Sequence, residues 1–155
     1  MSGSHVFSRG ADHLYEMVKG EGIYLWDRDG RRYIDGSSGP ICVNIGHGVK
    51  EVTDAVKRQM DEVSYVHSSH FITRSVKECA DRLAAFAPEG IGHVFFCSGG
   101  SEATEAAAKM ARQYFLLTNE PKRYKVVARW QSYHGNTLGS LSMSGNIARR
   151  RRYVP

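Results

Sequence analysis

The stretch VFFCSGGSEATEAAAKMAR, residues 94–112, constrains the chain more than any other. Residues 94–97 are a short apolar run bounded by glycines, which predicts a fully buried strand. From residue 102 to 117, Ala103, Ala106, Ala107, Met110, Ala111, Tyr114 and Leu117 recur at helical spacing and make one stripe. Lys125 to Trp130 predicts a second buried strand. Strand, helix, strand is a βαβ unit, so the expected class is α/β with a parallel sheet.

Between the first strand and the helix stand four small residues, Ser98-Gly99-Gly100-Ser101. A helix start offers unpaired backbone N–H groups and the positive end of the dipole. Glycines let a ligand approach the backbone, and a hydroxyl adds one donor. Together they describe a phosphate seat at the C-terminal edge of a parallel strand, where open α/β sheets bind ligands. A plainer reading stands beside it: Ser98 or Ser101 caps the helix and the glycines make a tight turn. GxxxxGK[ST], GxGxxG and GxSxG are all absent, which removes the common nucleotide and hydrolase explanations. Tyr133-His134-Gly135 follows the second expected strand and so opens on the same sheet edge. A tyrosine there can lie flat on an aromatic ligand. Phosphate seat and aromatic platform together suit pyridoxal phosphate. Taken singly, Tyr133 reads as a core aromatic and His134 as an ordinary hydrogen-bonded histidine.

Upstream, residues 22–35 predict a hairpin, with Ile23, Leu25, Tyr33 and Ile34 flanking an Asp29-Gly30 turn. Residues 36–48, GSSGPICVNIGHG, predict a loop. Val49, Val52, Val56, Met60 and Val63 predict a helix, and Val76, Ala80, Leu83, Ala84 and Ala87 predict another that Pro88 and Gly90 end. SYHGNTLGSLSMSG, residues 132–145, predicts a further loop.

The 155 residues suffice for one domain with a sizeable core. No window approaches 18 apolar residues, which excludes a membrane-spanning helix, and MSGSHVFSRG lacks the apolar centre of a signal peptide. Cys42, Cys79 and Cys97 stand apart with no CxxC pair, the usage of reduced thiols in a cytoplasmic-type compartment rather than of a disulfide scaffold or zinc site. The net charge of +5 is concentrated in Arg149-Arg150-Arg151-Arg152, read as a solvated turn. No aromatics interleave with these arginines in sequence, so a nucleic-acid partner is not expected.

The hairpin YLWDRDGRRYIDG, the loop CVNIGHG with its helix through DAVKRQM, FFCSGGSEATEAAAKMAR, and RWQSYHGNTLGSLSMSG occur in this order over about residues 20–145. The ordered set resembles the N-terminal part of class-III aminotransferases, most closely the omega-amine:pyruvate type. The resemblance implies an incomplete fold-type-I pyridoxal-phosphate transferase. Residues 1–48 would contribute to the small domain and the substrate side. Residues 49–155 would begin the large, mostly parallel cofactor-binding domain. Carried over by position, Gly100 and Ser101 would bind the cofactor phosphate, Tyr133 would stack on the pyridine ring, and His134 would support that stack. Ser38, Gly39, Pro40 and Ile41 would lie near the substrate. Several amine transaminases have tryptophan at the position of Ile41, so aryl-amine specificity is not implied here.

The resemblance further implies transfer of an amino group from an amine or amino acid to a 2-oxo acid, pyruvate or 2-oxoglutarate, by a homodimer. The Schiff-base lysine and the carboxylate at the pyridine nitrogen are expected beyond Pro155. None of Lys19, Lys50, Lys57, Lys77, Lys109, Lys122 and Lys125 matches the family's lysine, so the chain reads as a fragment holding part of a site. Two other classes stay open from the residues alone: a non-catalytic phosphate- or nucleotide-binding module, and a serine hydrolase using Ser98 or Ser101 with His134.

Overall fold

The computed structural model describes residues 5–6 and 14–153. Most of the MSGSHVFSRG segment and Val154-Pro155 lie outside the described residues. The chain divides into two units, Met1–Cys79 and Ala80–Pro155.

The first unit holds a three-stranded antiparallel sheet in the order β1-β2-β3, with β1 at Met17–Glu21, β2 at Tyr24–Asp27 and β3 at Arg32–Ile34. The expected hairpin is present: Leu25 faces Tyr33, and Gly30 takes φ +81° in the turn. Asp27 explains why this turn is tight. The residue is 6% exposed, and its carboxylate accepts from Asp29 N (3.0 Å), Arg31 N (2.8 Å) and the Tyr33 hydroxyl (2.6 Å). A buried acceptor with three donors is fully satisfied and fixes the loop between the strands. Strand β1, MVKGE, carries no period-2 pattern and was not expected.

The glycines of the GHG loop have a local cause. Gly22 and His47 exchange backbone hydrogen bonds of 3.0 and 2.8 Å. This approach requires Gly46 at φ +87° and Gly48 at φ +71°, and a Cβ on Gly46 would stand 3.1 Å from Gly22 O.

Ser38–Ile41 forms a short irregular turn, α1, with non-helical angles at Gly39 and Pro40. Two longer helices follow as the spacing predicts, α2 at Lys50–Glu62 and α3 at Arg74–Phe86. Their apolar stripes exist but are uncovered: Val52, Val56, Met60, Val76 and Leu83 are all exposed.

In the second unit α4 spans Gly100–Leu117, α5 Leu138–Met143 and α6 Ile147–Arg150. The two expected strands are not formed. The only ladder among the described residues is the antiparallel one, and residues 94–97 and 125–129 carry no strand pairing. A parallel strand exists through hydrogen bonds to its neighbours, and here neither segment finds one. Phe95, Phe96, Val126 and Val127 are exposed accordingly.

The expected loop at 132–145 is also corrected, since α5 lies inside it. Arg149 and Arg150 likewise belong to α6 rather than to a plain turn. The Arg149 guanidinium lies 5.9 Å over the Tyr133 ring and Arg150 5.9 Å over Trp130. Arg150 also donates to Ser142 O at 2.9 Å, beside the last turn of α5. Leu141, Ser140 and Ser144, all on or next to α5, are the buried side chains of this unit.

Candidate functional site

The N-terminus of α4 is open. Its N-cap is Gly99, in an extended conformation, with no side-chain cap hydrogen bond, so neither serine caps the helix. The first backbone bond in the turn runs from Ala103 N to Gly99 O at 3.0 Å. The N–H groups of Gly100, Ser101 and Glu102 precede it and have no backbone acceptor among the described residues. A Cβ added at Gly99 or Gly100 would meet nothing within 4 Å. These glycines therefore leave room rather than supply an unusual φ.

Ser101 is joined to the second loop. Its Oγ accepts from Asn136 N at 2.8 Å. A hydroxyl that has accepted one bond still carries its own proton. Three bare N–H groups and one available O–H, beside the positive end of an 18-residue helix, suit an anion. A phosphate-bearing cofactor fits this donor set. Tyr133 presents an exposed ring on the same loop. His134 donates its backbone N–H to Ser144 Oγ at 3.1 Å, and Ser144 Oγ donates to Ser140 O at 3.1 Å. His134 Nε2 is buried and has no hydrogen-bond partner among the described residues. Among the described residues no hydrogen bond joins Ser98 or Ser101 to the His134 imidazole, so the nucleophile–base pair of a serine hydrolase is not assembled.

Sequence reasoning missed Glu105. Its Oε1 accepts from the Thr137 hydroxyl at 2.6 Å and from Ser140 N at 3.0 Å. The Thr137 bond, then the Ser140 amide, hold its carboxyl below the usual range against the opposing effect of desolvation. The available signal was spacing: Ser101 and Glu105 are four residues apart and share one helix face.

In the first unit the expected substrate-side residues are held by Asp35. Its Oδ1 accepts from Gly39 N at 3.2 Å, and its Oδ2 lies 2.9 Å from His47 Nε2. A carboxylate only accepts, so the ring presents its N–H there. Ser38 and Ile41 take positive φ, 51° and 62°. Such an angle is an outlier for a β-branched residue and marks Ile41 as held, not relaxed. Gly22, Ile23, Asp35, Ser38, Val43, Asn44, Gly46 and His47 line a small cleft of about 60 Å³. It has room for a water molecule or two.

The His47 contact, then the Gly39 amide, depress the Asp35 carboxyl below its ordinary value of 3.8. A folded value below the unfolded one gives stability that is complete above about pH 4 and lost as pH falls through the depressed value. The amide signal of Gly39, which donates to the Asp35 carboxylate, is expected to shift as pH falls below about 4. In Asp35→Asn that acid step should vanish; a step of unchanged size would reject the assignment.

The family model "Aminotransferase class-III" matches residues 6–154. The putrescine–pyruvate aminotransferase of Pseudomonas aeruginosa is 39% identical over 131 residues, covering 83% of this chain and 28% of its own length. A thermostable (S)-enantioselective omega-transaminase from Thermomicrobium roseum superposes with TM-score 0.91 at 36% identity, over 98% of this chain and 36% of that one. An amine transaminase from an uncultivated Pseudomonas species, solved in its PLP-bound form, gives TM-score 0.85 at 37% identity over 94% of this chain and 34% of its own. The chain belongs to the class-III aminotransferase family. Its fold is that of the transaminases, in part: it spans about a third of the length of the curated relatives it matches. No described helix is long and apolar enough to cross a membrane.

Proposed function

We propose that this chain supplies part of the site of an aminotransferase that moves an amino group from an amine or amino acid to a 2-oxo acid, pyruvate or 2-oxoglutarate, with pyridoxal 5'-phosphate as cofactor. The enzyme acts as a cytoplasmic homodimer on small molecules. Bound cofactor would supply an electron sink for the carbon that carries the amino group. Gly100 and Ser101 hold its phosphate with backbone N–H groups and the seryl O–H. Tyr133 lies on the ring face, and His134, fixed through its backbone to Ser144, backs that ring. Ser38, Gly39, Pro40 and Ile41 face the substrate, and an aliphatic residue at 41 gives no aromatic wall for an aryl amine. Residues 1–48 belong to the small domain and the substrate side, and residues 49–155 begin the cofactor domain.

The observation that carries this reading is the Ser101 hydroxyl. Asn136 N–H donates to its oxygen at 2.8 Å and leaves its own proton for an anion at the open helix start. In the full-length protein Ser101→Ala is expected to lower pyridoxal-phosphate affinity about ten- to a hundred-fold, the effect of one hydrogen bond to a charged group. The remaining backbone donors should prevent complete loss. Equilibrium dialysis of the apo-protein against the cofactor makes the test, and unchanged affinity rejects the phosphate seat.

A further inference from the structure

We infer that Glu105 is a positioning residue for the cofactor site: its carboxylate clamps the Thr137–Ser140 turn onto α4 and so sets the Tyr133 loop against the Ser101 hydroxyl. The inference rests on the function proposed above and extends it to a residue that touches neither phosphate nor ring.

Three bonds, at two points one helical turn apart on α4, join it to residues 136–140. At Ser101, Oγ accepts from Asn136 N (2.8 Å). At Glu105, Oε1 accepts from the Thr137 hydroxyl (2.6 Å) and from Ser140 N (3.0 Å). Helix α5 has no side-chain cap of its own from Thr137. The Glu105 carboxylate replaces that cap from another helix, taking an N–H that the first turn of α5 leaves unpaired. The negative charge also lies at the favourable end of the α5 dipole.

The fit leaves no slack. A Cβ on Gly139 would stand 2.5 and 2.6 Å from the Glu105 carboxylate oxygens, and one on Gly135 would stand 2.7 Å from Ser101 Oγ. Residue 139 thus packs on the Glu105 carboxylate and residue 135 on the Ser101 and Ser140 side chains, and the loop between them carries Asn136 and Thr137. Tyr133 and His134 precede it directly, and the bond from His134 N to Ser144 Oγ ties them to the far end of α5. Releasing the Glu105 end of α5 therefore frees both the platform and the Asn136 amide that orients Ser101.

The test uses the full-length protein with Glu105→Ala, Glu105→Gln and Thr137→Val. Three readouts are taken: pyridoxal-phosphate affinity, visible circular dichroism of the bound cofactor, and the split between kcat and KM for the amine. Glu105→Ala should weaken cofactor binding about tenfold or more. At saturating cofactor it should change the visible dichroism and lower kcat with KM for the amine little altered. Glu105→Gln keeps an oxygen for both donors and should stay within about threefold of wild type. If Glu105→Ala does not fold, Thr137→Val, which removes one of the two bonds to Glu105 together with the 2.7 Å contact to Ser140 Oγ, should show the same signs more weakly. Wild-type affinity and dichroism in whichever of these two variants folds would overturn the inference, as would a Glu105→Gln as impaired as Glu105→Ala. A wild-type protein that binds no pyridoxal phosphate would overturn the proposed function and this inference together. Normal wild-type binding with an indifferent Glu105→Ala would overturn the inference alone.

Discussion

The 155-residue chain expressed by itself is expected to give no amino-transfer turnover and no stoichiometric cofactor attachment. The chemistry needs a lysine amine at the cofactor aldehyde, and the lysine nearest the phosphate seat in sequence is badly placed. Lys109 shares α4 with Ser101 but stands eight residues further on, about 12 Å along the axis. The surface gives a second reason. Leu141 is the one buried hydrophobic side chain among the described residues, while Phe86 is 90% and Val127 97% exposed. Uncovered apolar faces of this extent drive association. The measurement is borohydride reduction of residues 1–155 in the presence of pyridoxal phosphate, peptide mapping, and an amine-donor assay. One fully labelled lysine together with turnover would reverse the assignment and make a lysine such as Lys109 catalytic.

Gly135→Ala in the full-length protein is expected to be the most damaging single-methyl change in the site. Gly135 sits at φ +136°, a region that side chains rarely enter, and the new Cβ would collide with the Ser101 and Ser140 side chains. Ser140 is fully buried and cannot withdraw. Strain and overlap together should cost about 1–3 kcal/mol of stability. The loop must also leave α4, which breaks the bond from Asn136 N to Ser101. Cofactor affinity should therefore fall further than in Ser101→Ala, by more than about a hundredfold. Gly99→Ala is the contrast: its backbone is extended and its Cβ would meet nothing within 4 Å, so the melting temperature should be nearly unchanged. Thermal melts and cofactor titrations of both variants decide the matter, and a Gly135→Ala protein that melts and binds like wild type would refute it.

What the sequence disclosed was local. Helices α2, α3 and α4 follow from stripes at three- and four-residue spacing, and the Asp29-Gly30 turn from its own chemistry. Ser101, Tyr133 and His134 stood out because small residues and an aromatic interrupt those patterns at element ends. The parts that stayed hidden depend on distant partners. Glu105 reads as one more charge in an alanine-rich helix until Thr137 and Ser140 meet it. Helix α5, built of glycine, serine and leucine, lacks the length and the capping side chain that mark a helix, because its cap comes from 35 residues upstream. Asp27 looks like a turn residue and proves to be the buried hub of the hairpin. The apolar runs at 94–97 and 125–130 carry strand composition, but composition does not supply the neighbour that makes a strand.

The sheet of the first unit lies wholly within residues 17–34, and this fixes an order of events during synthesis. Hairpins of such short span close in about 1–10 μs. The clamp between Glu105 and Ser140 spans 35 residues and cannot form until Ser140 has been made. Ribosomes add about 5–20 residues per second, so the 106 residues from Ile34 to Ser140 take roughly 5–20 s. During that interval every residue of the sheet has been made, Asp27 and its donors included, while α2 and then α3 emerge with their valine and leucine stripes uncovered. The hairpin can close on contacts local to residues 17–34, whereas Ser101, Tyr133 and Glu105 can come into register only after Ser140 has been added.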